Sequence, residues 1–333
     1  MTSGYIGAID IGGTKIAASV GSPTGPLARA VQATVKSGAP EAVPQQAIAL
    51  LEEACRQAGI EADRLGAVGV CSAGPFIRQD GMLAMVTPNI CGGLGRRPDL
   101  PNDWTSVPLE AVLRQRFQTL AIDNDGVSAL IAERTFGAAL GEPDCVYATW
   151  STGIGFGICA DGKVLRGKHG NAGHAGHMLM SEVEQAQCGC GNVGDLEALI
   201  SGRNIAHRGG KEAPALFAAA RAGDPAAHAI AMQAARWFGR ALYNLAATLD
   251  TRLFVVGGSV WEHNGDWLEP FVMEEIRTRL PVLTAEVELV PAALGGWVTD
   301  IGAFCLVLPE TWVSGWRENQ TWRAGVEGAE GGE

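Results

Sequence analysis

The feature that most constrains the fold of this chain is a glycine-rich turn that occurs twice. The first turn, at 10–15, separates the β-prone runs 5–10 and 15–20, and the second, at 151–157, follows the apolar run 146–150. After each turn, strand-like runs alternate with helical patterns. Two α/β halves that face each other across a cleft are the simplest architecture for this order.

Composition narrows the class of protein further. The 333 residues, 47% hydrophobic and 18% charged, suit two globular domains. A net charge of −11 without a basic run argues against nucleic acid as a partner. The sequence contains no run of about 18 apolar residues, which argues against a membrane span. Since residues 1–4 show no signal pattern, we expect a cytoplasmic protein with reduced, scattered cysteines.

The first turn is predicted to bind phosphate. Its paired glycines let backbone N–H groups approach phosphate oxygens, its threonine adds a hydroxyl donor, and its aspartate can hold Mg²⁺ or its waters. An ordinary hairpin with a solvated aspartate is the alternative. Neither the Walker A pattern nor the dinucleotide fingerprint is present in this turn. The residues assigned to this site are Asp10, Gly12, Gly13, Thr14 and Lys15.

The second turn has the same chemistry, a pair of hydroxyls followed by alternating glycines. Its assigned residues are Ser151, Thr152, Gly153 and Gly155. A third glycine pair follows the predicted strand 252–256 and suits contact with a nucleotide base or ribose, although such a pair taken alone is more often a packing turn. This third group is Gly257, Gly258 and Ser259.

The acidic pair Asp123 and Asp125 follows the predicted strand 119–122 and flanks Asn124. Ligands of α/β sheets bind at the carboxyl ends of strands. Phosphoryl transfer to an alcohol needs a carboxylate that orients the hydroxyl and accepts its proton, so Asp125 is the candidate base. The alternative is a turn or a helix N-cap.

A histidine, two cysteines one residue apart and an aspartate offer the ligands of a tetrahedral zinc site. These residues are His177, Cys188, Cys190 and Asp195. Such a zinc would fix a loop that carries substrate-binding groups. Two unligated cysteines in a glycine-rich loop are the alternative.

Taken in order, these motifs resemble the ROK family of sugar kinases over about residues 5–308. The matching segments are Asp-Ile-Gly-Gly-Thr-Lys at 10–15, Asn124-Asp125, Thr-Gly-Ile-Gly at 152–155, Ala-Gly-x-x-Gly-His at 172–177 and Cys-Gly-Cys-Gly-Asn-x-Gly-x-Leu-Glu at 188–197. The last segment is the most specific of them.

The resemblance implies an α/β protein with two ribonuclease H-like (actin-like ATPase) domains around a central cleft. We expect a smaller domain at 1–118, joined by a C-terminal helix at about 297–310, and a larger one at 119–296 that carries the zinc-type loop. The polar composition beyond Ser314 predicts a flexible tail at 314–333. The family also implies a homodimer or homotetramer.

The resemblance further implies an ATP-dependent kinase that phosphorylates a primary, C6-type hydroxyl of a hexose-like substrate. Both glycine-rich turns would hold ATP phosphates with Mg²⁺, and Asp125 would be the general base. The substrate-binding residues implied are Ser72, Gly74, Asn89, Asn124, Asp125, His174, His177 and Glu197, of which the match is looser for Ser72, Gly74 and Asn89.

Two departures from the family pattern carry information. His174 stands where the family has a glutamate that accepts hydrogen bonds from the sugar, which predicts a changed substrate such as an aminosugar, a deoxysugar or a cyclitol (kanosamine-like or a C7-cyclitol). Asp195 stands where the third zinc-binding cysteine is usual. A carboxylate is an acceptable zinc ligand, so a structural Zn²⁺ with weaker retention is expected, and loss of zinc is the competing interpretation.

Other functions stay open at this stage. A glucokinase or N-acetylmannosamine-type hexose kinase is one alternative. A non-catalytic, sugar-responsive ROK regulator is another, but the first hairpin begins at Tyr5, which leaves no room for a preceding helix-turn-helix, and the acidic charge agrees. We therefore expect a small sugar or cyclitol and ATP as partners, and neither nucleic acid nor membrane.

Overall fold

The computed structural model describes residues 4–94 and 100–324, without the side chains of 323 and 324. The strands are β1 (Tyr5–Ile11), β2 (Lys15–Ser22), β3 (Gly25–Ala33), β4 (Leu65–Ser72), β5 (Phe76–Gln79), β6 (Met82–Met85), β7 (Leu120–Asn124), β8 (Cys145–Trp150), β9 (Ile154–Ala160), β10 (Lys163–Val164), β11 (Leu253–Gly257) and β12 (Glu288–Pro291). The helices are α1 (Ala42–Gln57), α2 (Leu109–Arg116), α3 (Asp125–Phe136), α4 (Leu196–Ile200), α5 (Gly202–Gly209), α6 (Ala213–Arg221), α7 (Pro225–Leu249), α8 (Ser259–Arg277), α9 (Pro281–Thr284), α10 (Val298–Cys305), α11 (Glu310–Asn319) and α12 (Thr321–Ala324).

Two five-stranded sheets share one topology. Their orders are β3-β2-β1-β4-β7 and β10-β9-β8-β11-β12. In each sheet the first three strands form antiparallel hairpins, and the last two run parallel to the central strand. This confirms the duplication that the two glycine-rich turns predict.

The chain divides into two compact units. Unit 1 comprises 1–136, 167–171 and 296–333, and unit 2 comprises 137–166 and 172–295. The predicted division at 118 and 119 differs from this one. Because β7 pairs in parallel with β4, residues 119–136 belong with the first sheet.

The core of unit 1 packs helices closely onto its sheet. Gly7 of β1 lies under α1, since a side chain there would come within 2.8 Å of Leu51. Gly69 of β4 meets the backbone of α10, and a Cβ at this position would lie 1.8 Å from the Ala303 carbonyl oxygen. The missing side chains therefore allow α1 to approach β1 and α10 to approach β4.

Large aromatic residues fill the core of unit 2. Trp150, at the end of β8, stacks with Phe238 and Trp261, and its Nε1 donates to the Ile200 carbonyl at 2.7 Å. Asp224 caps α7 by accepting from the N–H groups of residues 226 and 227 at 2.9 and 3.1 Å, as its Asp-Pro sequence predicts.

Two segments differ from what their composition predicts. Residues 76–105 are rich in glycine, proline and asparagine, which is typical of a long loop, but β5 and β6 pair as a hairpin at 76–85. The predicted flexible tail is wrong for 314–324, where α11 and α12 form and Trp316 and Trp322 are buried against Phe136. The remainder of that prediction lies outside the described residues.

Across the described residues, no helix combines the length and the apolar character needed to cross a membrane.

Candidate active site

In unit 1, three parallel strands end at the same edge of the sheet. The register pairs Ile11 of β1 with Ser72 of β4, and Ser72 with Asn124 of β7. The predicted residues Asp10, Asn124 and Asp125 therefore lie at one edge, where ligands of α/β sheets bind. The charge of Asp125 reaches Asp10 strongly enough to affect the Asp10 pKa.

Asp10 is half-buried at the end of β1. Thr299 Oγ1 donates to its Oδ2 at 2.8 Å, and Cys71 Sγ lies 3.3 Å from its Oδ1. Burial, followed by the nearby charge of Asp300, raises the pKa of Asp10 to about 6, and the two hydrogen bonds oppose this rise. A divalent cation beside Asp10 would favour the ionised carboxylate, because its charge offsets both the burial and the negative charge of Asp300.

Asn124 and Asp125 mark the change from strand to helix. Asn124 is buried, and its Nδ2 lies 3.5 Å from the Ser72 carbonyl oxygen. Asp125 opens α3, and its Oδ1 accepts from the Gly126 N–H at 2.8 Å. The positive end of a helix dipole stabilises an ionised carboxylate, the form that a general base needs.

The three residues of looser match lie in different surroundings. Ser72 is fully buried, and its hydroxyl lies 3.0 Å from Met85 Sδ. The Gly74 carbonyl accepts from Thr87 Oγ1 at 3.0 Å. Asn89 is exposed and lies against the first turn, since a Cβ on Gly13 would come within 2.9 Å of Asn89 Cβ.

The first turn is held by the residue that follows β3, which sequence reasoning missed. Thr34 donates its hydroxyl to the Gly12 carbonyl at 2.7 Å and its N–H to the Thr14 carbonyl at 3.0 Å. Thr14 and Lys15 stay exposed. No local signal marks Thr34, because its partners come from strand pairing.

In unit 2, the second turn and the third glycine pair come together. Gly257 of β11 pairs with Thr149 of β8, one residue before Trp150 and the turn at 151–153. Gly258 has a φ of +89°, and a Cβ there would lie 2.6 Å from Thr149 Oγ1, so a close approach requires glycine. Gly155 lies within β9 rather than in the turn.

The predicted metal ligands form one cluster. The donor atoms of His177, Cys188, Cys190 and Asp195 lie within 4.8 Å of one another. From His177 Nδ1, the Asp195 Oδ2 is 3.1 Å away and the two sulfurs are 3.7 and 3.6 Å away. Tetrahedral zinc with bonds of about 2.0–2.3 Å places its donors roughly 3.3–3.8 Å apart. The two nitrogen–sulfur distances lie in this range and the nitrogen–oxygen distance is slightly shorter, so the donor set suits the ion.

Hydrogen bonds and burial shift the pKa values of all four residues of this cluster. Asp195 Oδ2 accepts a hydrogen bond from His177 Nδ1, and this bond raises the pKa of His177. Burial opposes ionisation of Asp195, but hydrogen bonds from His177 and from the Ala198 N–H outweigh it and keep its pKa low. Burial raises the pKa of both Cys188 and Cys190, and a bound metal would reverse this by removing the thiol protons.

Two further predicted residues adjoin the cluster. The His174 ring centroid lies 6.0 Å from that of His177. Glu197 Oε2 accepts from the Ile154 N–H at 3.1 Å, and Cys188 Sγ lies 3.3 Å from its Oε1. Glu197 thus links the metal-type loop to the second turn, a contact that the motif alone does not predict.

Comparison with known proteins places this geometry in a family. The ROK family model matches residues 6–310. An N-acetylmannosamine kinase of Salmonella typhimurium (strain LT2) is 36% identical over 278 residues, which cover 80% of this chain and 88% of the relative.

Solved structures of ROK kinases have a similar fold. A ROK hexokinase from Thermus thermophilus superposes with a TM-score of 0.74 at 31% identity, over 91% of this chain and 97% of that one. A ROK family glucokinase from Streptomyces griseus, in complex with glucose and AMPPNP, superposes with a TM-score of 0.67 at 29% identity, over 90% of this chain and 98% of that one.

The repeated sheet order and the glycine-rich turns define an α/β protein of the actin-like ATPase fold. Within that class, the chain belongs to the ROK family.

Proposed function

We propose that this sugar kinase transfers the γ-phosphoryl group of ATP to a primary, C6-type hydroxyl of a hexose-like substrate, with Asp125 as the general base. The observation that carries the proposal is the shared edge of β1, β4 and β7, which assembles Asp10, Asn124 and Asp125. The sugar kinase class follows from family membership and from the kinase relatives.

The reaction needs little covalent chemistry from the protein. In phosphoryl transfer, catalysis is mostly positioning and stabilisation of charge. Asp125 accepts the proton of the acceptor hydroxyl while the hydroxyl oxygen forms a bond to the γ-phosphorus. The bond between the γ-phosphorus and the β,γ-bridging oxygen breaks at the same time, and ADP leaves. Asn124 orients neighbouring hydroxyls, and the backbone N–H groups of both turns bind phosphate oxygens.

Mg²⁺ would accompany the nucleotide, and Asp10 is the residue that would hold it or its waters. The ion supplies neutralisation of the charge that develops on the phosphates. We also expect each turn to bind phosphate oxygens, with Gly257, Gly258 and Ser259 beside the adenosine.

Structural zinc would be held by the cluster of His177, Cys188, Cys190 and Asp195. It would fix the loop that carries His174 and His177 without contributing to the transfer itself. If His177 bound the ion through Nδ1, its Nε2 would keep a proton and would donate to an acceptor on the substrate.

His174 favours an aminosugar or cyclitol of the kanosamine or C7-cyclitol kind, because an imidazole in place of glutamate changes the donors and acceptors on that face of the substrate. N-acetylmannosamine is a second candidate, favoured by the curated relatives that carry that name. ADP release on a panel of glucose, N-acetylmannosamine, kanosamine and an aminocyclitol ranks them. A preference for glucose would contradict the role of His174.

The general base is tested with Asp125→Asn, which keeps the shape of the side chain and removes its charge. We expect turnover to fall by about 10²–10⁴-fold, with nucleotide binding and the unfolding midpoint retained. ADP release is the measurement.

Asp161→Asn is the matched control, because the Asp161 side chain is 96% exposed, and this variant keeps wild-type turnover. Near-normal turnover of a folded Asp125→Asn protein would refute the assignment. Sequence-specific DNA binding by the wild type, without phosphotransfer, would instead support a regulator.

A further inference from the structure

Each carboxylate oxygen of Asp10 has a protein group beside it. Thr299 Oγ1, from the first turn of α10, donates to Oδ2 at 2.8 Å. Cys71 Sγ, at the end of β4, lies 3.3 Å from Oδ1 and 3.4 Å from the Thr299 carbonyl oxygen. A carboxylate oxygen only accepts hydrogen bonds, so the Cys71 thiol is the donor in its contact with Asp10.

Thr299 is anchored through the next residue along the chain. The Asp300 carboxylate is buried and accepts two bonds from Arg29, at 3.0 Å each, and one from Ser19 Oγ at 2.7 Å. The Arg29 guanidinium also lies 5.2 Å from the centre of the Trp297 ring. The start of α10 is therefore tied to both β2 and β3.

We propose that Thr299, held in place by the Arg29–Asp300 pair, is a positioning residue that orients Asp10 for the Mg²⁺ of the nucleotide. This inference rests on the proposed function. Thr299 and Asp10 are 289 residues apart in the chain and belong to no common motif.

The physical reason is that a carboxylate binds a cation or its waters best when it does not rotate. One donor on each oxygen fixes the plane of the Asp10 side chain and leaves other lone pairs for the ion. The loss of such an outer hydrogen-bond partner typically lowers metal affinity by about 10–100-fold.

The test compares Thr299→Val, which replaces the hydroxyl by a methyl group of similar size, with Thr299→Ser, which keeps the donor. ADP binding to the full chain is measured by calorimetry in Mg²⁺ and in EDTA. In Mg²⁺, we expect Thr299→Val to bind ADP about tenfold more weakly than the wild type does. In EDTA, the two proteins should bind ADP equally well. Thr299→Ser is expected to restore the Mg²⁺ response.

Equal losses in Mg²⁺ and EDTA, or no loss at all, would overturn the inference, because a purely structural role moves both values together. If Thr299→Val does not fold, Cys71→Ala removes the other donor and must weaken the Mg²⁺ response in the same way. If the ADP affinity of the wild type did not depend on Mg²⁺, the proposed function and this inference would both be overturned. If Thr299→Val kept the wild-type dependence of ADP affinity on Mg²⁺, the inference alone would be overturned.

Discussion

At the residue scale, the carboxylate of Asp10 lies in a position where its charge lowers the stability of the fold. Asp10 loses hydration on folding and lies near the charge of Asp300, so its pKa rises to about 6. Residues that serve a ligand are often unfavourable for folding in this way, because the ligand supplies the compensating charge.

This predicts a pH-dependent gain in stability for Asp10→Asn. The unfolded carboxyl has a pKa of about 3.9, so the native state binds the additional proton between the two pKa values. Wild-type stability therefore falls as the pH rises from about 4 to above 6, and Asn escapes this loss. We expect Asp10→Asn to be more stable by up to about 2 kcal/mol at pH 7.5, allowing for partial exposure, and equal to the wild type near pH 4.

Urea unfolding at the two pH values measures this difference, and Asp161→Asn is the exposed control. An Asp10→Asn variant that is destabilised equally at both pH values would show that the carboxylate stabilises the fold. The same variant is expected to lose Mg²⁺-dependent turnover.

At the element scale, the metal-type loop and α4 share one side chain. Asp195 Oδ1 caps α4 by accepting from the Ala198 N–H at 2.7 Å, while Oδ2 lies 3.1 Å from His177 Nδ1. A cysteine at this position could bind zinc but could not cap the helix in the same way, since thiols are weak hydrogen-bonding groups. Asp195 therefore combines two roles.

We expect freshly purified protein to contain one zinc ion per chain. Cys190→Ser should lose most of it, whereas Asp195→Cys should keep zinc and lose about 1 kcal/mol from the missing cap. Metal analysis and urea unfolding separate the two effects. Wild-type protein without zinc would refute the metal site, and the cap prediction would then be measured with Asp195→Ala.

At the scale of the whole molecule, the last helices of the chain pack into the core that its first strands begin. Residues 296–324 belong to unit 1, where Trp316 is fully buried among Phe136, Phe304 and Trp322. Its Nε1 donates to the Ser22 carbonyl at 2.8 Å, across 294 positions. Unit 1 is therefore complete only when its last helices have packed.

Trp316→Ala should destabilise unit 1 by about 3–5 kcal/mol, because it leaves a cavity and an unpaired carbonyl group. Urea unfolding, monitored by circular dichroism, measures the change in the free energy of unfolding. Trp312→Ala, one helical turn earlier at a half-buried position, should shift the midpoint less. Similar small shifts in both variants would mean that α11 adds little to the core.

Much of this protein was determined by local sequence. The glycine-rich turns, the strand before Asp125, the Asp224-Pro225 cap and the family motif around Cys188 are short patterns, and each one carries its own backbone or ligand chemistry. They were sufficient to predict the duplicated α/β fold, the family and the four residues of the metal-type cluster.

Only the tertiary structure decided which distant groups meet. Strand register buried Ser72 and placed Thr34 beside the first turn. Helix packing brought Thr299 to Asp10 and turned a polar tail into part of a core. Such contacts depend on the sheet order and on close approach at positions such as Gly69, and a short stretch of sequence contains neither. Local patterns therefore predicted the chemistry of this site, and long-range packing determined its support.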